Sequence, residues 1–162
     1  MPQKALILTV ALIAMLAGTS SYYWFKADFH TLQGDKHHWR DLRGQYVVVN
    51  YFAEWCAPCL RELPELNRFN QMIAGDAVKL FGVSFDALSS DALAQLADKY
   101  EIDFELILTE PAPGLPLERP QSLPATFIIG PDGKLIKQLM GEQHADDLLA
   151  LINALQQREA AN

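Results

Sequence analysis

Tyr46-Val47-Val48-Val49-Asn50-Tyr51-Phe52-Ala53-Glu54-Trp55-Cys56-Ala57-Pro58-Cys59 joins an unbroken apolar run to the only two cysteines in 162 residues. The β-branched and aromatic run Tyr46 to Phe52 predicts a central strand buried on both faces. Beyond it, Cys59, Leu63, Leu66, Phe69 and Ile73 recur at three- and four-residue steps, which predicts a helix from near Ala57 to about Ala74 with one apolar face. Pro64 interrupts that pattern, and because the period continues past it a kink is expected there rather than a stop. A strand therefore delivers two thiols to a helix N-terminus, with Cys56 at the exposed start and Cys59 on the face turned inward.

Only the thiolate of a cysteine is nucleophilic, and the free N–H groups and dipole of a helix N-terminus stabilise that charge at the position of Cys56. Cys59, one turn later, can attack a mixed disulfide formed by Cys56, releasing reduced substrate and leaving the pair oxidised. Pro58 has no N–H and a fixed φ, so it suits the first helical turn and stiffens the link between the sulfurs. Other uses of two cysteines fit less well. A structural zinc needs about four ligands, and there is no second cysteine pair. A static disulfide across so short a loop removes little chain entropy. A Cys–His hydrolase would need His144, the one histidine outside the N-terminal hairpin region, and nothing in the sequence ties it to Cys56.

Downstream, Val78 to Phe85 is a second apolar strand, and Ser89-Ser90 can cap a helix whose Leu93, Leu96, Ala97 and Tyr100 share a face. Phe104 to Leu108 is a third core strand, and helices long enough to cross over imply parallel pairing in an α/β sandwich. Pro111, Pro113, Pro116 and Pro120 make 110–123 an irregular loop. Ala125 to Ile129, the turn Gly130-Pro131-Asp132-Gly133 and Lys134 to Met140 form a hairpin. Leu148, Leu151, Ile152 and Leu155 mark a terminal helix with Asp146 and Asp147 in its first turn, fraying from Gln156. Upstream, Phe29 to Leu32 and Lys36 to His38 read as a small hairpin, with Trp39 to Gly44 a turn into the core. His37 and His38 are adjacent, face opposite sides of a strand, and are expected on the surface.

The net charge of −7, with Lys and Arg scattered, argues against a nucleic-acid surface. The N-terminus differs from the rest: Lys4 precedes 21 uncharged residues, Ala5 to Phe25, which as a helix would extend roughly 31 Å, about a bilayer core. Tyr22-Tyr23-Trp24-Phe25 resembles an interfacial aromatic belt, and the A-x-A pattern of a cleavage site is missing, so an uncleaved anchor is favoured over a cleaved signal. Thr19 stands where a lipid-bearing cysteine would have to be. Both readings export the body of the chain, with residues 1–26 as anchor or signal segment and 27–162 as the catalytic domain on the periplasmic or extracytoplasmic side of the inner membrane, or soluble there after cleavage.

Trp55-Cys56-Ala57-Pro58-Cys59 after a strand, the continuation Leu60-Arg61-Glu62-Leu63-Pro64, Asn50 before the pair, Leu123-Pro124-Ala125-Thr126-Phe127, and Gly141 ahead of the last helix together resemble the TlpA/ResA-like thiol–disulfide oxidoreductases of the thioredoxin superfamily, over about residues 29 to 157. The resemblance implies an α/β thioredoxin fold: a central mixed sheet flanked by helices, with an N-terminal hairpin and a central strand–helix insertion. It implies that Pro124 is the cis proline packed across the dithiol, and that Glu62 tunes the thiols or relays protons. Trp55, Ala57, Pro58 and Leu123 would then form the surface that meets the substrate chain, while Glu54 is merely exposed. Asn50 stands where thioredoxins proper carry a buried Asp. Tyr51-Phe52 replaces the family's usual Phe-Trp, and loop 110–123 stands where relatives often have a short helix, so substrate choice transfers least.

The implied function is reduction of disulfides in exported client proteins, as in cytochrome c maturation or metal-centre assembly, with electrons from a membrane thiol-reductant donor and neither cofactor nor metal. The alternative is a non-enzymatic Cu(I) carrier using the cysteine pair and a histidine, although copper-delivering relatives tend to use C-x-x-x-C. A peroxidase of the peroxiredoxin kind would want Thr where Ala53 stands.

Overall fold

The computed structural model describes residues 3, 7–9, 11–16, 19 and 26–161. Most of the segment expected to enter the membrane lies outside the described residues. Among those described, 7–9 and 11–16 are helical, with Ile7, Leu8, Leu12, Ile13, Met15 and Leu16 each more than half exposed. No helix of the described residues is long and apolar enough to cross a membrane.

The apolar run forms strand β3 (Tyr46–Phe52), buried at every position, at the centre of a five-stranded sheet. It is flanked by β4 (Val78–Ser84), parallel, and β6 (Ala125–Ile129), antiparallel. Outside these lie β5 (Glu105–Ile107), parallel to β4, and β7 (Leu135–Met140), antiparallel to β6, giving the order β5-β4-β3-β6-β7. The parallel pairs are those joined by helices, α1 (Ala57–Met72) and α2 (Ser90–Lys99), as helical crossovers require. Strands β1 (Phe29–His30) and β2 (Lys36–His37) make the expected hairpin, and α3 (Ala145–Ala160) closes the chain.

The period-two alternation of a strand sends the sheet's side chains into two cores. On one face Val48, Phe52, Leu80, Leu106 and Ile128 pack beneath Leu66 and Phe69 of α1, Leu93 of α2, and Leu148 and Ile152 of α3. Gly82 of β4 is required here, because a Cβ would stand 2.6 Å from Leu106 Cδ2 and 2.7 Å from Phe104 Cε2. The opposite face carries Val49, Tyr51, Phe81, Val83 and Phe127. No helix covers it. Its cover is Phe29, Leu42, Trp39 and, from the proline-rich loop, Leu115 and Leu117. Gly114 N donates to Asp28 O at 2.7 Å and Trp39 Nε1 to Gly114 O at 2.7 Å, so hairpin and loop form one lid over this core.

Several local expectations need correction. Helix α3 runs through Gln156 to Ala160 without fraying at that point. Leu155 still packs on the core, and Tyr46 Oη donates to Glu159 Oε2 at 2.9 Å, anchoring the last turn to the start of β3. His37 is partly buried rather than free on the surface. Its ring stacks on Phe29 at 5.0 Å and its Nε2 lies 3.1 Å from Glu105 Oε2, which joins the hairpin to the sheet edge. Glu54 is exposed but engaged, accepting from Lys99 Nζ at 2.7 Å, and this contact holds its carboxyl below the usual carboxylate range.

Candidate active site

At the end of β3 the chain turns through Ala53, whose carbonyl accepts from Cys56 N at 3.1 Å. Cys56 is the N-cap of α1, in extended conformation with φ −92° and ψ 91°, and its Sγ accepts from Cys59 N at 3.3 Å. Pro58 lies in the first turn, where a missing N–H costs nothing. Cys56 and Cys59 are joined in a disulfide, with Cα atoms 5.2 Å apart. Cys59 is fully buried, as the apolar stripe requires. Cys56 is only 5 % exposed, which corrects the expectation of an exposed sulfur. Its Sγ is turned onto Cys59 and the Cys59 amide, and the residues left open are the neighbours, Trp55 (65 % exposed) and Ala57.

Glu62 follows Cys59 by three positions, on the same face of α1. It is not a solvated helix residue but is 1 % exposed. Its Oε2 accepts from Asn50 Nδ2 at 3.1 Å and its Oε1 from Gln143 N at 3.0 Å. Burial pushes its carboxyl up to about 7 despite those two donors, and the nearby Glu142 carboxylate adds a smaller push. Asn50 Nδ2 also donates to Thr126 Oγ1 at 3.0 Å, a contact dictated by register, since Asn50 and Thr126 are direct partners across β3 and β6. Asn50 Oδ1 is buried with no hydrogen-bond partner, a cost tolerated at functional sites.

The Leu123–Pro124 peptide is cis, matching the implied conformation. Tyr51 pairs with Ala125, so the buried Pro124 stands at the end of β3 from which the cysteine turn departs. Gly141 N donates to the Pro124 carbonyl at 2.9 Å. The structure thus brings Cys56, Cys59, Glu62 and Pro124 to one end of the sheet, with Leu123 half-buried beside them.

Three participants were not singled out from sequence. Gln143 meets Glu62 through its backbone, which no side-chain pattern announces. It belongs to a series of contacts in which Arg61 binds Glu142, Glu65 accepts from Ala145 N at 2.9 Å, and Arg68 pairs with Asp146 at 2.8 Å, fixing α1 to the start of α3. Thr126 is the lone polar residue of an otherwise apolar strand, a signal that was available. Asp86 accepts from Trp55 Nε1 at 2.7 Å and pins the exposed indole next to Cys56.

Among the described residues, the one cluster of three potential metal ligands is Asp35, His37 and Glu105, and it includes neither cysteine. The histidine that a Cu(I) carrier would add to the pair is therefore not found beside it among the described residues.

A family model described as AhpC/TSA matches residues 24–138. The thiol-disulfide oxidoreductase ResA of Bacillus thuringiensis is 29% identical over 118 residues, which cover 72% of this chain and 67% of that protein. ResA of Geobacillus thermodenitrificans is 25% identical over an alignment of 164 positions, covering 90% of this chain and 92% of the relative. The crystal structure of StoA from Bacillus subtilis superposes with a TM-score of 0.64 at 21% identity, covering 74% of this chain and 90% of that one, a likeness in fold.

Proposed function

Because this chain belongs to the AhpC/TSA family of thioredoxin-like proteins and is a thiol–disulfide oxidoreductase of the ResA type, we propose that it reduces disulfides in particular client proteins outside the cytoplasm. In this reading the Cys56 thiolate attacks one sulfur of a client disulfide and expels the other as a thiolate. Cys59 loses its proton to the Glu62 carboxylate and attacks Cys56 Sγ, expelling the second client thiolate. The client leaves as two thiolates that have gained two electrons; one takes the proton that Glu62 received from Cys59 and the other takes one from solvent, and Cys56–Cys59 is left as the disulfide seen here. A membrane dithiol donor restores the pair, and residues 1–26 hold the domain at the membrane. The exposed apolar side chains of the described N-terminal residues support that anchor. Trp55, Ala57, Pro58, Leu123 and Pro124 meet the client chain around the sulfurs.

The observation that carries the direction of electron flow is the buried Glu62, one helical turn after Cys59. Oxidants of this chemistry are strong because their reduced thiolate is stabilised. A carboxylate one turn from the buried cysteine does the opposite, since like charge disfavours the thiolate. Where Glu62 is ionised, above about pH 7, it offsets the stabilisation that the helix N-terminus gives the Cys56 thiolate, so the reduced pair is less stable than in those oxidants. Equilibration of residues 27–162 with glutathione or thioredoxin buffers tests this. The expected potential lies near that of reductants, about −270 mV, and a value near −120 mV, typical of strong oxidants, would overturn the reductant reading.

A further inference from the structure

The proline-rich loop has no regular structure, yet one of its charged side chains is fixed. Arg119 Nη2 donates to Phe85 O at 2.7 Å, and the guanidinium carbon stands 3.7 Å from the centre of the Phe85 ring. Phe85 in turn meets the Trp55 indole edge-on at 6.0 Å, so Arg119 is two ring contacts from the residue preceding Cys56. No described carboxylate forms an ion pair with Arg119. A guanidinium has five N–H donors in a planar fork suited to two-point binding of a carboxylate, and the Phe85 carbonyl is met by one end of it. Its rotamer is already held, so less side-chain entropy is lost when an anion binds.

Arg119 also lies where two clefts meet. One, of about 340 Å³, is lined by Tyr51, Val83, Pro113, Leu115, Leu117 and Arg119 among others. The other, of about 570 Å³, shares Leu117 and Arg119 and reaches Leu135 and Met140 on β7, each about half exposed. The carboxylates nearby make no ion pair with Arg119: Asp86 accepts from Trp55, Glu54 accepts from Lys99, and the exposed Glu118 lines the larger cleft beside it. In a chain of net charge −7, a fixed and unneutralised cation against an apolar cleft is a local exception.

We propose that Arg119 is a specificity-determining residue: it seats one carboxylate of the client chain while an apolar side chain of the same segment enters the adjoining cleft, with the client disulfide over Cys56. The inference rests on the oxidoreductase reading and names the chemistry of its client, a short segment with a single acidic residue next to an apolar one. A long acidic run is disfavoured by Glu54, Asp86 and Glu118 around the same face.

The test measures second-order rate constants for reduction of disulfide peptides by the reduced protein at low salt. The peptides are identical except for Leu-Glu, Leu-Gln or Leu-Lys at successive positions beside the cysteine. For the wild type, the Glu-to-Gln rate ratio is expected to reach about ten at the best position, the value of one charge-assisted contact. In Arg119→Ala the ratio falls to near one, in Arg119→Lys it is intermediate, and Arg119→Glu turns the preference toward peptides carrying Lys. The ratio is insensitive to a general loss of folding or thiol reactivity. A wild-type ratio near one at every position, or a ratio that survives Arg119→Ala, would overturn the inference. Failure to reduce any peptide would instead overturn the oxidoreductase reading, a separate outcome.

Discussion

Replacing Cys56 by Ser is expected to lower the rate of insulin reduction by at least about a thousandfold, the scale of losing a covalent nucleophile, whereas Cys59→Ser should retain the first step and stop after it. The asymmetry follows from position. Cys56 is the N-cap of α1, where its sulfur receives the Cys59 amide and the positive end of the helix, so its thiolate is the one stabilised. Cys59 has no exposed surface and cannot meet a macromolecular disulfide without first being presented with Cys56 Sγ. Stopped-flow mixing of each reduced variant with an activated disulfide distinguishes them: a stoichiometric burst with no turnover is expected for Cys59→Ser, and no burst for Cys56→Ser. A burst of equal size in both variants would mean that either sulfur can attack, and the division of roles would fail.

Glu62→Gln is expected to produce the second large effect, on both activity and stability, and its pH dependence has a definite sign. The folded carboxyl titrates near 7 against 4.5 for an unperturbed one, chiefly because burial disfavours its charge. Between those values the folded state binds more protons than the unfolded state, so stability falls as pH rises through that window and stays low above it. The cost of the charged form is on the order of 3 kcal/mol. Urea unfolding at pH 5 and pH 8 should therefore show the wild type losing stability at the higher pH by an amount of that order, with a flat response in Glu62→Gln. For activity, the resolving step should rise with pH through about 7 in the wild type, as the carboxylate that receives the Cys59 proton forms. That inflection should vanish in the variant, while the variant's redox potential becomes less reducing as the like charge is removed. An unchanged pH profile would remove Glu62 from the proton path. The orphaned Asn50 Oδ1 is a ready partner for the amide at position 62, because a flipped Asn50 accepts its N–H.

The fold was legible wherever one local rule decided it. The continuous apolar run became the buried central strand, the three- and four-residue stripe became α1, and four prolines kept 110–123 out of regular structure. Positions decided by distant partners were not legible. Gln156 onward looked polar enough to fray, but Glu159 is held by Tyr46, far back in the sequence. His37 looked like a surface residue until Phe29 and Glu105 closed around it. At the site, spacing alone marked the cysteines, and family resemblance marked Glu62 and Pro124. The burial that raises the Glu62 carboxyl comes from packing of α1 against the sheet and the start of α3, which helical periodicity does not distinguish from an ordinary solvated glutamate.

The reading that Cys56 passes electrons to a client at the membrane is tested most directly by expressing full-length Cys59→Ser in the source cell and identifying mixed disulfides in the alkaline-washed membrane fraction. A client protein joined through Cys56 is the expected result, lost with a reductant and absent from Cys56→Ser Cys59→Ser. Abundant membrane-bound Cys59→Ser protein with no disulfide-linked partner would contradict it.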